Sequence, residues 1–404
     1  MNNKNLTLKN NIHFNKKISL SNQLNKKFDK IYNDLKIEIK NKNKTLNVLD
    51  DKFKFNLKLK DLNKYKKFKT IVIIGMGGSI LGANAIYNFF SSTIKKKVYF
   101  FDDLDENKLI SLKKKEHLPK ILFIVISKSG NTIETLSNSF ALNIIKKNSK
   151  NIILISEKKN NVLFSLSKKL NLFYVEHNPH IGGRYSVLSE VGIIPAYLMG
   201  VNINRLRSKI SECVNKKNKN FLKKSSINLV QILKSKKFNS LILLNYAPNL
   251  KKLLYWCQQL IAESLGKHGK GFLPVISNAP KDHHSLLQLY LDGPKDKLFY
   301  IFSFEKKFKQ KINFSKNFEG LNFIKRKSIS TIKNAQKNAL IKSLLQNKSS
   351  FREFKIKKSN EETLGQLFSY FIIETIIVGK MLNINPYDQP AVEKVKLYTK
   401  KFLK

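Results

Sequence analysis

Between Thr70 and Val175 the chain carries five unbroken apolar runs, and they constrain the fold more than any other feature. They are Ile71–Ile74, Val98–Phe101, Ile121–Ile126, Ile152–Ile155 and Leu172–Val175, with helix-like stretches between them. A strand with one wet face alternates apolar and polar residues; these runs do not, so both faces must be buried. Strands of that kind, alternating with helices, form parallel sheets covered on two sides. A second series follows a lysine-rich helical stretch at 201–235. Its strands are Ser240–Leu244, Phe272–Ile276, Leu298–Phe302 and Phe351–Ile356. Helices are expected at Lys251–Gly266, from about His284, and at Ile332–Leu345, Thr363–Met381 and Ala391–Lys400. The class is α/β, with two α/β/α sandwiches, mainly parallel sheets and a C-terminal helix. Residues 1–45, rich in Asn and Lys and only weakly periodic, are expected to form one or two surface helices ahead of the first sandwich.

The charge is extreme. Lys+Arg number 76 against 28 Asp+Glu, a formal net charge of +48. Nucleic-acid readers favour the planar fork of arginine, yet only Arg184, Arg205, Arg207, Arg326 and Arg352 are arginines. The lysines are spread along the whole chain. This reads as a general lysine bias and not as a specific nucleic-acid interface, although a basic surface attracts an anionic substrate. Cys213 and Cys257, with no Cys-x-x-Cys pair, argue against a disulfide framework or cysteine zinc site. No apolar run of eighteen residues and no apolar leader core occur, so a cytoplasmic protein without a membrane partner is expected.

Six segments carry candidate chemistry. Ile73-Ile74-Gly75-Met76-Gly77-Gly78-Ser79 runs from a strand through a glycine turn into a helix. Its glycines allow close approach of a ligand, or simply tight helix–sheet packing. Ile80 breaks the dinucleotide pattern and no Lys follows for a Walker loop. Ser127-Lys128-Ser129-Gly130-Asn131-Thr132 ends another buried strand. Its hydroxyls at a helix N-terminus suit a phosphate monoester, whereas a plain N-cap needs only one of them. His180-Ile181-Gly182-Gly183-Arg184-Tyr185-Ser186 places an arginine after a glycine pair; its alternative use is a structural ion pair. Gln259 and Glu263 share a helix face, with the acid close to a helix end where the macrodipole disfavours it. Lys281-Asp282-His283-His284-Ser285 fits an acid–base histidine better than a metal site, because adjacent side chains diverge. Tyr387-Asp388-Gln389-Pro390 opens the last helix, which carries Lys396.

Taken together, these segments resemble the glucose-6-phosphate isomerase family, which is built from two sugar-isomerase domains. Gly182-Gly183-Arg184-Tyr185-Ser186, with Ser189 and Gly192, resembles one family signature; Gly379-x-Met381-Leu382-x4-Tyr387-Asp388-Gln389-x-Ala391-Val392-Glu393-x2-Lys396 resembles the other. The resemblance spans about residues 70–400. It implies sugar-isomerase domains at 46–205 and 206–383, after an N-terminal helical segment (1–45) and before a C-terminal helix (384–404). It further implies reversible isomerisation of glucose 6-phosphate and fructose 6-phosphate, in glycolysis and gluconeogenesis, with no cofactor and no metal. Glu263 matches the base, His284 the ring-opening histidine, Lys396 the lysine closing the last signature, and Arg184 the arginine beside the enediolate. Gly78, Ser79, Ser127, Lys128, Ser129, Thr132, Gln259 and Gln389 match positions that hold the sugar phosphate. A homodimer is implied, with His284 reaching the neighbouring subunit's site. Ser129 stands where many members carry Thr, and Pro390 where others often carry Trp.

The chemistry agrees with the residue types. A ring opens by proton exchange at its oxygen, one carboxylate moves a proton between C1 and C2, and a guanidinium steadies the enediolate. Two rivals share the fold. An isomerase that also takes mannose 6-phosphate is disfavoured by Gln389, where a smaller residue is expected. A sugar-phosphate sensor that binds DNA would need a helix-turn-helix, which residues 1–45 do not supply convincingly.

Overall fold

The computed structural model describes residues 2–12, 22–305, 310–315 and 320–403. Among these described residues, ten strands form two five-stranded sheets. The first holds β2 (Thr70–Gly75), β3 (Lys97–Phe101), β4 (Ile121–Ile126), β5 (Ile152–Ser156) and β6 (Phe173–Glu176), in the order β3-β2-β4-β5-β6 and all parallel. The second holds β1 (Leu6–Asn11), β7 (Ser240–Asn245), β8 (Leu273–Asn278), β9 (Lys297–Phe304) and β10 (Phe351–Ile356), in the order β1-β10-β9-β7-β8. Its pairings are parallel except β1 with β10.

The unbroken runs have a direct physical cause. Alternate residues of one strand enter different cores, because successive side chains leave opposite faces of a strand. Ile71 and Ile73 of β2, with Leu122, Ile124 and Ile126 of β4, join a core shared with Leu241 and Leu243 of β7 and Tyr300 and Phe302 of β9. Val72 and Ile74, with Phe123 and Val125, belong to a separate cluster on the other face of the first sheet. Ile242, Leu244, Phe299 and Ile301 form the corresponding cluster on the second. The shared core also takes in helices Gly78–Phe89, Lys251–Leu265 and Glu361–Met381, so these helices lie between the halves. Helix Glu361–Met381 has the length and hydropathy of a membrane span, yet its apolar window is 94% buried within the fold.

That helix is also pinned by charge. Arg352 of β10 donates from Nη1 to both Glu374 carboxylate oxygens at 2.8 and 2.9 Å and to the Tyr300 hydroxyl at 2.8 Å. Both partners are buried. Desolvation alone would lower the guanidinium's pKa, but the Glu374 carboxylate and the neighbouring tyrosines push it above the ordinary value.

The N-terminal stretch corrects the expectation of helices alone. Its first element is β1, which pairs antiparallel with β10 from Leu6↔Ile356 to Asn11↔Phe351 and closes one edge of the second sheet. Helix Asn22–Lys40 follows, and it is not merely superficial. Phe28, Ile31, Tyr32, Leu35 and Ile39 recur at helical spacing and are buried. Residues 13–21 of the expected helical segment lie outside the described residues.

Candidate active site

In the first sheet the chain passes from β2 to β3 on one side and then returns to β4 on the other. Such a reversal opens a crevice beyond the carboxyl ends of β2 and β4, the common ligand position in open α/β sheets. Gly75 and Ile126 end these strands in register. The glycine turn and the hydroxyl turn therefore leave the sheet side by side.

The glycine turn works by close approach. A Cβ on Gly78 would lie 2.2 Å from the Gly183 carbonyl carbon and 2.5 Å from the Arg184 nitrogen. Gly77 has φ +51°, and a Cβ there would lie 2.7 Å from Gln259 Nε2. The turn is thus a socket for the Arg184 loop on one side and helix Lys251–Leu265 on the other. Ser79, in the first turn of the following helix, is buried.

In the hydroxyl turn, Ser127 Oγ lies 2.8 Å from Thr132 Oγ1 and accepts the Gly130 N–H at 3.1 Å. Ser129 Oγ accepts the Asn131 N–H at 3.3 Å. Thr132 is the N-cap of helix Ile133–Ala141, and its side chain makes no capping bond. The first N–H groups of a helix have no partner within it, so donors and a positive dipole end converge on this turn. Gly130, at φ +69°, lets the turn pack on Asn161; a Cβ would come within 1.8 Å of Asn161 Oδ1.

Arg184 is 2% exposed and spends every donor. Nε donates to Ser264 Oγ at 2.9 Å, and Nη1 to Glu263 Oε2 at 3.1 Å and to Gln389 Oε1. Nη2 donates to the carbonyls of Pro386 at 2.6 Å and Asp388 at 3.0 Å. A guanidinium has five N–H bonds, and five acceptors surround this one. The first sheet's loop, a helix of the second half and the C-terminal segment thereby meet on a single side chain. Tyr185 adds to the knot, with its hydroxyl 2.8 Å from Ser264 Oγ and donating to Pro386 O at 2.7 Å. Lys267 pairs with Asp388 at 2.8 Å, which holds that carboxyl below the usual carboxylate range.

Glu263 lies two residues before its helix's last residue, Leu265, where the dipole disfavours a carboxylate. Two donors offset this: Arg184 on Oε2, and Gln259 Nε2 on Oε1 at 2.9 Å. The Glu263 side chain remains 33% exposed, so it is held without being sealed. Gln259 Oε1 is buried and has no partner among the described residues.

Arg184, Glu263, Gln259, Gln389, Gly78 and Ser79 thus converge, and Ser127, Ser129 and Thr132 form the adjoining turn. His284 and Lys396 do not join them. His284 is exposed at the end of the short helical turn Lys281–His284, beyond β8. Its neighbour His283 is held 2.8 Å from the Tyr246 hydroxyl. Lys396 lies on helix Glu393–Phe402, which buries none of its residues, and pairs with Glu393 at 2.7 Å. Lys128 belongs to the turn by sequence, but its ammonium donates to the carbonyls of Pro179 and Ile181. The contributions of Ser264, Tyr185, Lys267 and Pro386 escaped the reading by residue type. Their signal was proximity in sequence to Glu263, Arg184 and Gln389.

Two mainly parallel sheets sharing a helical core, with a buried arginine and a carboxylate meeting between them, define a fold of the sugar-phosphate isomerase type. Solved structures carry the same fold. A hypothetical protein from Thermus thermophilus superposes with TM-score 0.84 at 21% identity, covering 98% of this chain and 100% of that one. A glucose-6-phosphate isomerase from Chlamydia trachomatis superposes with TM-score 0.70 at 20% identity, covering 85% and 72%. The phosphoglucose isomerase family model matches residues 18–273. The glucose-6-phosphate isomerase of Methanocaldococcus jannaschii is 35% identical over 349 residues, covering 83% of this chain and 85% of that one. That of Campylobacter jejuni is 30% identical over 378 residues, covering 89% and 90%. The chain belongs to the phosphoglucose isomerase family.

Proposed function

We infer that this protein interconverts glucose 6-phosphate and fructose 6-phosphate, and the observation that carries the reading is the Arg184–Glu263 pair. One exposed edge of a carboxylate and one buried, charged guanidinium lie within 3.1 Å of each other beside a turn suited to phosphate. An aldose–ketose isomerisation needs these parts: a base to move one proton and a fixed cation for the oxyanion formed meanwhile.

The steps follow from the chemistry of each group. The phosphate anchors on Ser129, Thr132 and the helix N-terminus, with Gly78 and Ser79 shaping the near wall. Binding energy gathered there, away from the reacting carbons, orients the sugar. Gln259 and Gln389 take sugar hydroxyls. His284 and Lys396 exchange the protons that open the ring. Glu263 removes the proton from C2 of the aldose and returns it to C1, giving the ketose. As Glu263 gains that proton its claim on Arg184 Nη1 weakens, and the N–H is freed for the enediolate oxygen. Each step after phosphate binding is a proton transfer between a side chain and the sugar.

The reading carries a cytoplasmic homodimer with it. His284 is exposed and makes no hydrogen bond to the Arg184–Glu263 cluster of its own chain, which supports its use by a neighbouring copy. The exposed last helix supports an approach of Lys396 to the site when substrate binds. The test is a coupled assay of fructose 6-phosphate conversion by the purified chain. Turnover without added metal or cofactor is expected; no turnover, in a folded sample that binds the sugar phosphate, would overturn the reading.

A further inference from the structure

Lys128 sits second in the hydroxyl turn, yet its ammonium faces away from the role its position suggests. Nζ donates to the Pro179 carbonyl at 2.9 Å and to the Ile181 carbonyl at 3.0 Å, and lies 3.5 Å from Glu157 Oε1. An ammonium has three N–H bonds, and three oxygens surround this one. None is left for a phosphate. Pro179 and Ile181 immediately precede Gly182-Gly183-Arg184. The lysine therefore spans from the turn after β4 to the loop after β6, with its counter-ion supplied by the turn after β5 that lies between them.

Each end of this strut is built in. The Glu157 N–H donates to the Lys128 carbonyl at 3.0 Å, and the Glu157 carbonyl accepts Asn161 Nδ2 at 2.8 Å. Asn161 is the residue against which Gly130 packs. Beyond the strut, the buried His177 hands its N–H to the Ser156 carbonyl at 2.7 Å, with Nδ1 2.9 Å from the Asn178 carbonyl. Burial pulls the His177 pKa down to about 4, so its ring is neutral at pH 7; the second cation here is Lys159, which pairs with the other Glu157 carboxylate oxygen.

We propose that Lys128, braced by Glu157, is a positioning residue that locks the Arg184 loop to the phosphate turn and is not a ligand of the phosphate. The role rests on the isomerase reading for the reaction it serves. It makes a division that phosphate contact would not. Removing the strut leaves the hydroxyls and helix N-terminus of the turn in place but loosens the loop that aims Arg184. Turnover should suffer, and phosphate affinity should not.

The test is Lys128→Met, which keeps the length of the stem and removes the donors, with Lys128→Arg beside it. Three readings are taken: kcat and KM for fructose 6-phosphate, the affinity for inorganic phosphate by calorimetry, and Tm. Misplacing a catalytic group by about 1 Å can cost on the order of 10²-fold. Lys128→Met is expected to lose kcat on that scale, with inorganic phosphate bound within about twofold of wild type. Lys128→Arg, which keeps a charged donor set, should recover part of kcat. A Lys128→Met protein that binds inorganic phosphate roughly tenfold more weakly, with kcat unchanged, would make the lysine a direct ligand and overturn the proposal. So would a lowered Tm with wild-type kcat in the folded fraction, which marks a purely structural tie. Wild-type turnover in the same assay reports on the isomerase reading separately. If the wild type were inactive, the phosphate affinities would still decide, since a loss in Lys128→Met overturns the proposal. Should Lys128→Met fail to fold, Glu157→Gln takes its place, with the same kcat loss and unchanged phosphate affinity expected.

Discussion

Gly78 and Gly183 touch backbone to backbone: a single added methyl on Gly78 would lie 2.2 Å from the Gly183 carbonyl carbon and 2.3 Å from its oxygen. The obstacle is main chain, which cannot rotate aside. Gly78→Ala must therefore push the Arg184 loop outward. Overpacking of this kind costs about 1–3 kcal/mol, read as a lower urea midpoint, and the displaced guanidinium should cost kcat on the order of 10²-fold. Wild-type turnover in Gly78→Ala would show that the two loops do not need this contact.

Glu263→Gln should leave the fold and sugar-phosphate affinity nearly intact. Gln can still accept from Arg184, but it cannot act as a base. The loss of rate is expected to be roughly 10²–10⁴-fold. Exchange between anomers of glucose 6-phosphate should persist, because it depends on His284 and Lys396, whereas solvent deuterium should no longer enter C2. Deuterium entering C2 at near the wild-type rate would remove Glu263 from its role.

Ser129→Ala combined with Thr132→Ala should weaken binding more than it slows chemistry. A hydrogen bond to a charged group is worth about 1.5–3 kcal/mol, so KM for fructose 6-phosphate should rise at least tenfold. An unchanged KM would take the phosphate off this turn.

Glu374→Ala leaves Arg352 buried with its charge uncompensated. Breaking a buried pair in this way costs about 3–5 kcal/mol, and a large drop in the denaturant midpoint is expected. Replacing both partners together, Arg352→Met with Glu374→Leu, should cost less than the single change. A double variant less stable than Glu374→Ala would show that the pair gains more from its surroundings than desolvation takes away.

Mixing Glu263→Gln chains with His284→Ala chains tests whether sites are shared. If His284 serves a neighbouring copy, some hybrid sites carry neither lesion and part of the activity returns. Heterodimers present without any recovery would mean that each chain completes its own site.

Strands β2, β4, β5, β7 and β9 were legible in the sequence because their central residues are buried on both faces, and double burial writes itself as an apolar run. The turns at Gly77-Gly78 and Ser127–Thr132 were legible because glycine and hydroxyl residues at the end of a strand have few other uses. β1 was not legible. Leu-Thr-Leu-Lys-Asn-Asn has only two apolar residues and is rich in types that strands disfavour. It is a strand because β10 offers an open edge 340 residues further along at Asn11↔Phe351.

The sequence by itself determined the α/β class, the order of the strands along the chain and the residue types of the site, since burial and turn chemistry are local constraints. Only the tertiary structure decided which of those residues act together. Arg184 and Glu263 stand 79 residues apart in the chain and 3.1 Å apart in space. Lys128 has the sequence position of a phosphate ligand, but the carbonyls of Pro179 and Ile181 occupy its donors. His284 and Lys396 carry the right chemistry and remain exposed, outside the cluster their motifs place them in. A side chain's type is set by its codon, but its available protons and lone pairs are set by which neighbours the fold brings within hydrogen-bonding distance.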